Sequence, residues 1–172
     1  MNSTQIEDCF NLCFSEDYRI VMVGGGSEPI YLPGGSAAKS RLIYRADYAS
    51  SALHEAAHWC IAGSARRAQI DFGYRYTPPP RHKTEQEKFY KSEERVQALE
   101  WIFSDASQIE FHPSADNLEA EVGGFYQQLK IAKHKTARWL NSVAGSRARV
   151  LVSFLSAGGL APTRDLETSA HG

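Results

Sequence analysis

Three cysteines are too few, and odd in number, for a disulfide framework. At least one thiol stays free, and Cys9 and Cys13 meet only if their segment is helical. No apolar run nears the ~20 residues of a membrane span. Charge of one sign is not in excess either: Lys+Arg 19 against Asp+Glu 20 leaves a net charge of −1. Without an overall attractive field, stable nucleic-acid binding and membrane-surface binding are not expected, although a local basic patch is compatible with this balance. Residues 1–8 carry neither a basic flank nor an apolar stretch, so no secretory signal is read there. Gly24-Gly25-Gly26 and Gly34-Gly35 lack the Lys-Ser/Thr of a phosphate loop and read as turns. Repeats and low-complexity tracts are missing as well. A reduced, cytoplasmic protein is the simplest expectation.

What is present is an ordinary globular balance, 42% hydrophobic and 23% charged over 172 residues. That length suits one domain with a real core. A single catalytic domain over 1–157 and a loose tail over 158–172 are expected. Thr4-Gln5-Ile6-Glu7 fits a capping box, followed by Ile6, Phe10, Cys13 and Phe14 at helical spacing, which predicts a helix over 5–16. Segments 18–23, 29–33 and 41–44 read as extended. Ser50 and Ser51 offer N-caps for a helix through Ile61, with Gly63 as its stop. Segment 70–76 alternates and is aromatic, so it reads as a strand. Helices are expected over 85–106 and 119–144, while 150–155 fits helix or strand equally. These elements imply an α/β (α+β) fold: one compact domain with a small mixed sheet packed by helices.

His54-Glu55-Ala56-Ala57-His58 is the sharpest feature. Residues four apart on a helix share a face, so two imidazoles can converge on one metal ion. Glu55 lies about 100° round the helix from His54 and still reaches the cleft beside the ion. The bland alternative is a pair of ordinary packed histidines on a half-buried helix. The metzincin extension is excluded, because Ile61 and Ser64 stand where Gly and His are required. A third ligand from the 85–106 helix is expected, with Glu93 preferred and Glu94 and Glu100 as alternatives. Gln97 and Glu100 are placed to hydrogen-bond an imidazole from behind.

Two imidazoles and a carboxylate leave open positions for water, substrate or O₂. That set fits zinc hydrolysis and non-haem iron oxygen chemistry alike. No histidine is followed two residues later by Asp or Glu, so the usual jelly-roll 2-oxoglutarate oxygenases are excluded. Arg66, Arg67, Arg75, Arg81, His82 and Lys83 cluster around the active helix and the Pro78-Pro79-Pro80 loop, where they can meet an acidic partner or serve as a solvated face. Tyr74, Tyr76 and Trp59 can line a channel for a long aliphatic side chain, or belong to the core.

The residues flanking the metal motif resemble the elongation factor P hydroxylase family. The resemblance is carried by Glu28-Pro29-Ile30-Tyr31-Leu32-Pro33, by His54-Glu55-Ala56-Ala57-His58-Trp59-Cys60-Ile61-Ala62-Gly63 with Arg66-Arg67, by Asp71-Phe72-Gly73-Tyr74, by Gln97-Ala98-Leu99-Glu100-Trp101 and by Asp116-Asn117-Leu118-Glu119. These segments occur in the family's order and span most of 28–119. The resemblance implies a cytoplasmic bacterial hydroxylase acting on a β-lysylated lysine of elongation factor P. It also implies Fe(II) held by His54, His58 and a carboxylate, with O₂ as co-substrate and a fold similar to a small metal-dependent ribonuclease. Zn(II) with Glu55 activating water, a hydrolase, is the alternative. A module with a closed structural metal site is a third reading.

Overall fold

The first cap sits two residues earlier than the capping-box reading implies. Asn2 is the N-cap of helix α1, Ser3–Phe14. Its side chain accepts from Gln5 N–H at 2.9 Å, and the Gln5 side chain accepts from Asn2 N–H at 2.9 Å. Asn ranks above Thr as an N-cap, and here its side chain and that of Gln5 complete the reciprocal capping box. A computed structural model describes residues 1–74, 83–113 and 122–159, with the side chains of 83–92 and 122–123 outside the described set.

Strands β1 (Ile20–Gly26), β2 (Ile30–Leu32) and β3 (Ser40–Arg45) form one sheet in the order β1-β3-β2. β1 runs parallel to β3, and β2 antiparallel. Alternation sends Ile20, Met22, Tyr31, Leu42 and Tyr44 inward, all buried. Met22, Leu42 and Tyr31 stand opposite one another across the three strands.

Side chains close both free edges of this sheet. Asn11 of α1 accepts from Met22 N–H at 2.7 Å and donates to Met22 O at 3.0 Å. On the other side, Tyr31 N–H donates to Asp71 Oδ1 at 2.9 Å. Such edges otherwise invite pairing with another chain. Gly24 is required where β1 bends past Tyr44, because a Cβ there would lie 2.6 Å from the tyrosine hydroxyl oxygen.

Helix α2 (Ala49–Ile61) packs on the inner sheet face and against α1. Ala52, Leu53, Ala56, Ala57, Trp59 and Cys60 are buried. Trp59 sits edge-on to Phe10 at 5.2 Å and close to Phe14 at 4.7 Å. It is core, and not the channel wall that its sequence position allowed. Neither Ser50 nor Ser51 caps α2; the N-cap is Tyr48, and the Ser51 hydroxyl accepts from Arg45 N–H instead. Gly63 does not end α2 in a left-handed turn. At φ −68 it starts the short helix α3, Ser64–Arg67.

The strand expected over 70–76 is not formed in its described part. Ile70–Gly73 is a 3-10 turn with Asp71 at φ 48 and Phe72 at φ 56. Alternation was misleading there because the aromatic side chains serve a tight turn. Helix α4 (Lys83–Ser107) lies across α2, with Val96, Leu99 and Phe103 buried. Helix α5 (Val122–Trp139) is shorter than expected: turns begin after Trp139, and Val143 is 93% exposed. Trp101 of α4 stacks with Phe111 at 4.9 Å and with Tyr126 of α5 at 5.2 Å. Segment 150–155 is helical, within α6, Ser146–Ser156. The result is a single compact α+β domain with a small mixed sheet, six helices among the described residues, and α2 at its centre.

Candidate metal centre

Helical spacing puts His54 and His58 on one face of α2, one turn apart. Their Nε2 atoms lie 3.2 Å from each other. Glu93 reaches them from α4, with Oε2 at 3.5 Å from His54 Nε2 and Oε1 at 3.7 Å from His58 Nε2. Donor atoms about 2.0–2.2 Å from a tetrahedral ion stand about 3.3–3.6 Å from one another. The three side chains therefore stand near the spacing a single cation requires, and together they could hold one. Their chemistry, two borderline nitrogens and one hard oxygen, suits Zn(II) or Fe(II).

The three glutamates considered on α4 divide cleanly. Glu93 is 8% exposed and faces the imidazoles. Glu100, two turns on, accepts from His54 Nδ1–H at 2.8 Å. That bond leaves Nε2 turned toward the site and fixes the ring. Glu94 lines a groove between α4 and α5 with Arg95, Lys135 and Trp139, away from the histidines. Gln97 is buried on α4 between Glu93 and Glu100.

The second imidazole is held differently. His58 Nδ1 is buried and has no hydrogen-bond partner among the described residues. Its ring lies nearly parallel to Phe72, with centroids 6.1 Å apart and planes 10° apart, and meets Tyr74 edge-on at 5.4 Å. Sequence reasoning did not single out Tyr31, Asp71 or Phe72 as site residues. Gly73, at φ 71, was the available signal that a turn and not a strand stands here. Left-handed φ at two successive non-glycine residues costs about 1–3 kcal/mol each.

Charge around the pocket is lopsided. Burial comes first in raising the Glu55 carboxyl from 4.5 to about 7; His54 opposes the shift, while Glu93, Asp71 and Glu100 add to it. Glu55 is 8% exposed, and no hydrogen bond to its carboxylate occurs among the described residues. Burial would depress His54, but Glu100, followed by Glu55 and Glu93, outweighs it and lifts the metal-free imidazole to about 10. His58 is pushed well below its usual value by burial, with His54 and Arg66 adding to the effect. A neutral imidazole is the form that binds a cation.

Of the basic residues expected to meet a partner, Arg66 is exposed at the rim. Its guanidinium lies over the Tyr74 ring at 4.0 Å, and Nε–H donates to Phe72 O at 3.0 Å. Arg67 turns inward and donates to Ala62 O at 2.7 Å. Arg75, Tyr76, Arg81 and His82 lie outside the described residues, as does the Lys83 side chain.

Fold and site together define a small α+β protein whose central His-Glu-x-x-His helix meets a carboxylate from the next long helix. The sequence pattern of the elongation factor P hydroxylases matches residues 9–160. A curated relative, the elongation factor P lysine hydroxylase of Haemophilus influenzae, is 43% identical over 155 residues, covering 86% of this chain and 85% of the relative. This chain belongs to the elongation factor P hydroxylase family, and as a hydroxylase it is an oxidoreductase. No helix among the described residues is long and apolar enough to cross a membrane.

Proposed function

We propose that this protein is a cytoplasmic, metal-dependent monooxygenase that hydroxylates a β-lysylated lysine side chain of elongation factor P, a post-translational modification in translation. The observation that carries the metal part is the convergence of His54 Nε2, His58 Nε2 and Glu93 within ligand spacing. The substrate part rests on the family and on the name of the Haemophilus relative.

In this reading His54, His58 and Glu93 hold Fe(II), which when bound supplies the redox chemistry that O₂ needs. With His54, His58 and Glu93 as its protein ligands, such a metal would retain capacity for O₂. Glu100 orients His54, and Gln97 is buried between Glu93 and Glu100 on the same helix. Hydroxylation by O₂ inserts one oxygen atom into a C–H bond and reduces the other to water. It consumes two electrons from an external reductant and two protons. Glu55, a buried carboxyl next to His54 on α2, is placed to hold and release such a proton at its carboxyl oxygen. Tyr74, beside His58 and under Arg66, is placed to flank an aliphatic side chain entering the site.

Anaerobic reconstitution with Fe(II), followed by O₂, reductant and lysylated elongation factor P, tests this. A mass gain of one oxygen atom, dependent on both iron and O₂, is expected. Hydrolysis of a peptide or RNA with Zn(II), indifferent to O₂, would replace it with the hydrolase reading, in which Glu55 activates water.

A further inference from the structure

An imidazole can turn about its Cβ–Cγ bond and offer either nitrogen, so a ligating histidine must be fixed. The usual device is a hydrogen bond from the other nitrogen to a carboxylate or carbonyl. His54 has it in Glu100. His58 does not, because its buried Nδ1 has no partner among the described residues. We propose that Phe72 is the positioning residue for His58, its stacked ring taking the place of the missing hydrogen bond. The Asp71-Phe72 turn, pinned to β2, sets that ring.

The geometry supports each link. Phe72 lies nearly parallel to His58 and is itself stacked on Tyr31, with centroids 4.3 Å apart and planes 12° apart. Tyr31 is tied at both ends: its N–H donates to Asp71 Oδ1 at 2.9 Å, and its hydroxyl donates to Arg67 O at 2.8 Å. Arg66 Nε–H then holds the Phe72 carbonyl at 3.0 Å. Left-handed backbone at Asp71 and Phe72 persists only where surroundings over-determine it, and these bonds do so. Strain of this kind, beside His58, supports a role for the turn in the site. The two histidines are therefore unequal donors. His54 is backed by a carboxylate and is the stronger; His58 relies on apolar packing.

This inference rests on His54, His58 and Glu93 holding a metal. Cobalt(II) is the probe, read by affinity and by its visible ligand-field bands, with circular dichroism to check folding. Phe72→Leu removes the stacked face at similar volume and is expected to weaken cobalt binding roughly 10–100-fold and shift the bands. Phe72→Tyr keeps the stack and should stay near wild type. Asp71→Asn keeps an acceptor for Tyr31 N–H and should also stay near wild type, whereas Asp71→Ala should move in the direction of Phe72→Leu. A folded Phe72→Leu with wild-type affinity and bands overturns the proposal. If Phe72→Leu does not fold, a folded Asp71→Ala with wild-type affinity and bands overturns it equally. Failure of the wild-type protein to bind cobalt removes the metal reading itself, and the positioning role with it.

Discussion

The Nδ1–H of His54 donates to Glu100 Oε2 at 2.8 Å, tying the first imidazole of α2 to a helix 46 residues further along the chain. Glu100→Gln keeps the shape but removes the charge. Metal affinity, measured by titration calorimetry, should fall about 10–100-fold. The metal-free protein carries a second signature. His54 is raised from 6.5 to about 10, so the stability it contributes is full below pH 6.5 and is lost as pH rises through about 10. Glu100→Gln should flatten that loss in urea melts, and the His54 ring should titrate lower by NMR.

Glu93→Ala removes the carboxylate that faces both imidazoles. Metal binding should fall below detection in equilibrium dialysis, as it should for His54→Ala and His58→Ala. Glu94→Ala, one residue away but in the α4–α5 groove, should bind as wild type does. The reverse pattern would move the third ligand to Glu94.

Glu55 marks the pH response of the metal-free fold. Burial first, then the neighbouring carboxylates, raises it from 4.5 to about 7. The folded state therefore binds this proton more tightly than the unfolded one. The contribution is full below pH 4.5 and is lost as pH rises through about 7. Glu55→Gln keeps a neutral side chain at all pH. It should melt above wild type at pH 8, where ~1 kcal/mol corresponds to about 2–4 °C in this size class, and alongside it at pH 4. Identical melting curves at both pH values would show the carboxyl to be unshifted.

Arg147 holds the end of the motif helix. It donates to Cys60 O at 3.0 Å and to Ala62 O at 2.7 Å, with its guanidinium 5.0 Å from the centre of Trp59. Arg147→Ala should cost about 1.5–3 kcal/mol, the range for hydrogen bonds from a charged donor, read as a lower urea midpoint. Arg147→Lys, a point charge without the planar fork, should recover only part of it.

Local patterns were read well where one period governs one element. α1, α2 and α4 follow their apolar spacing, and the strands fall where β-branched and aromatic residues cluster between glycines and prolines. The reading failed where side chains answered to distant partners. Ser51 serves Arg45 and not a helix cap. The aromatic run after Ile70 turns back on Tyr31 and His58, so its alternation carried no strand. Val143 falls in a turn because α5 stops at Trp139.

By itself, the sequence determined that His54 and His58 share a face. Helical repeat is a local property, and it needs no knowledge of what packs nearby. The family could likewise be read from the chain order of short segments. The sequence preferred Glu93 over Glu94 and Glu100 without separating them; tertiary structure turned Glu93 to the imidazoles, Glu100 to His54 Nδ1 and Glu94 to another groove, because those choices depend on how α4 is rotated against α2. It alone brought β2, the Asp71-Phe72 turn and His58 into one stack. Contacts between residues far apart in the chain depend on packing angles set by the whole core, and no local spacing encodes them.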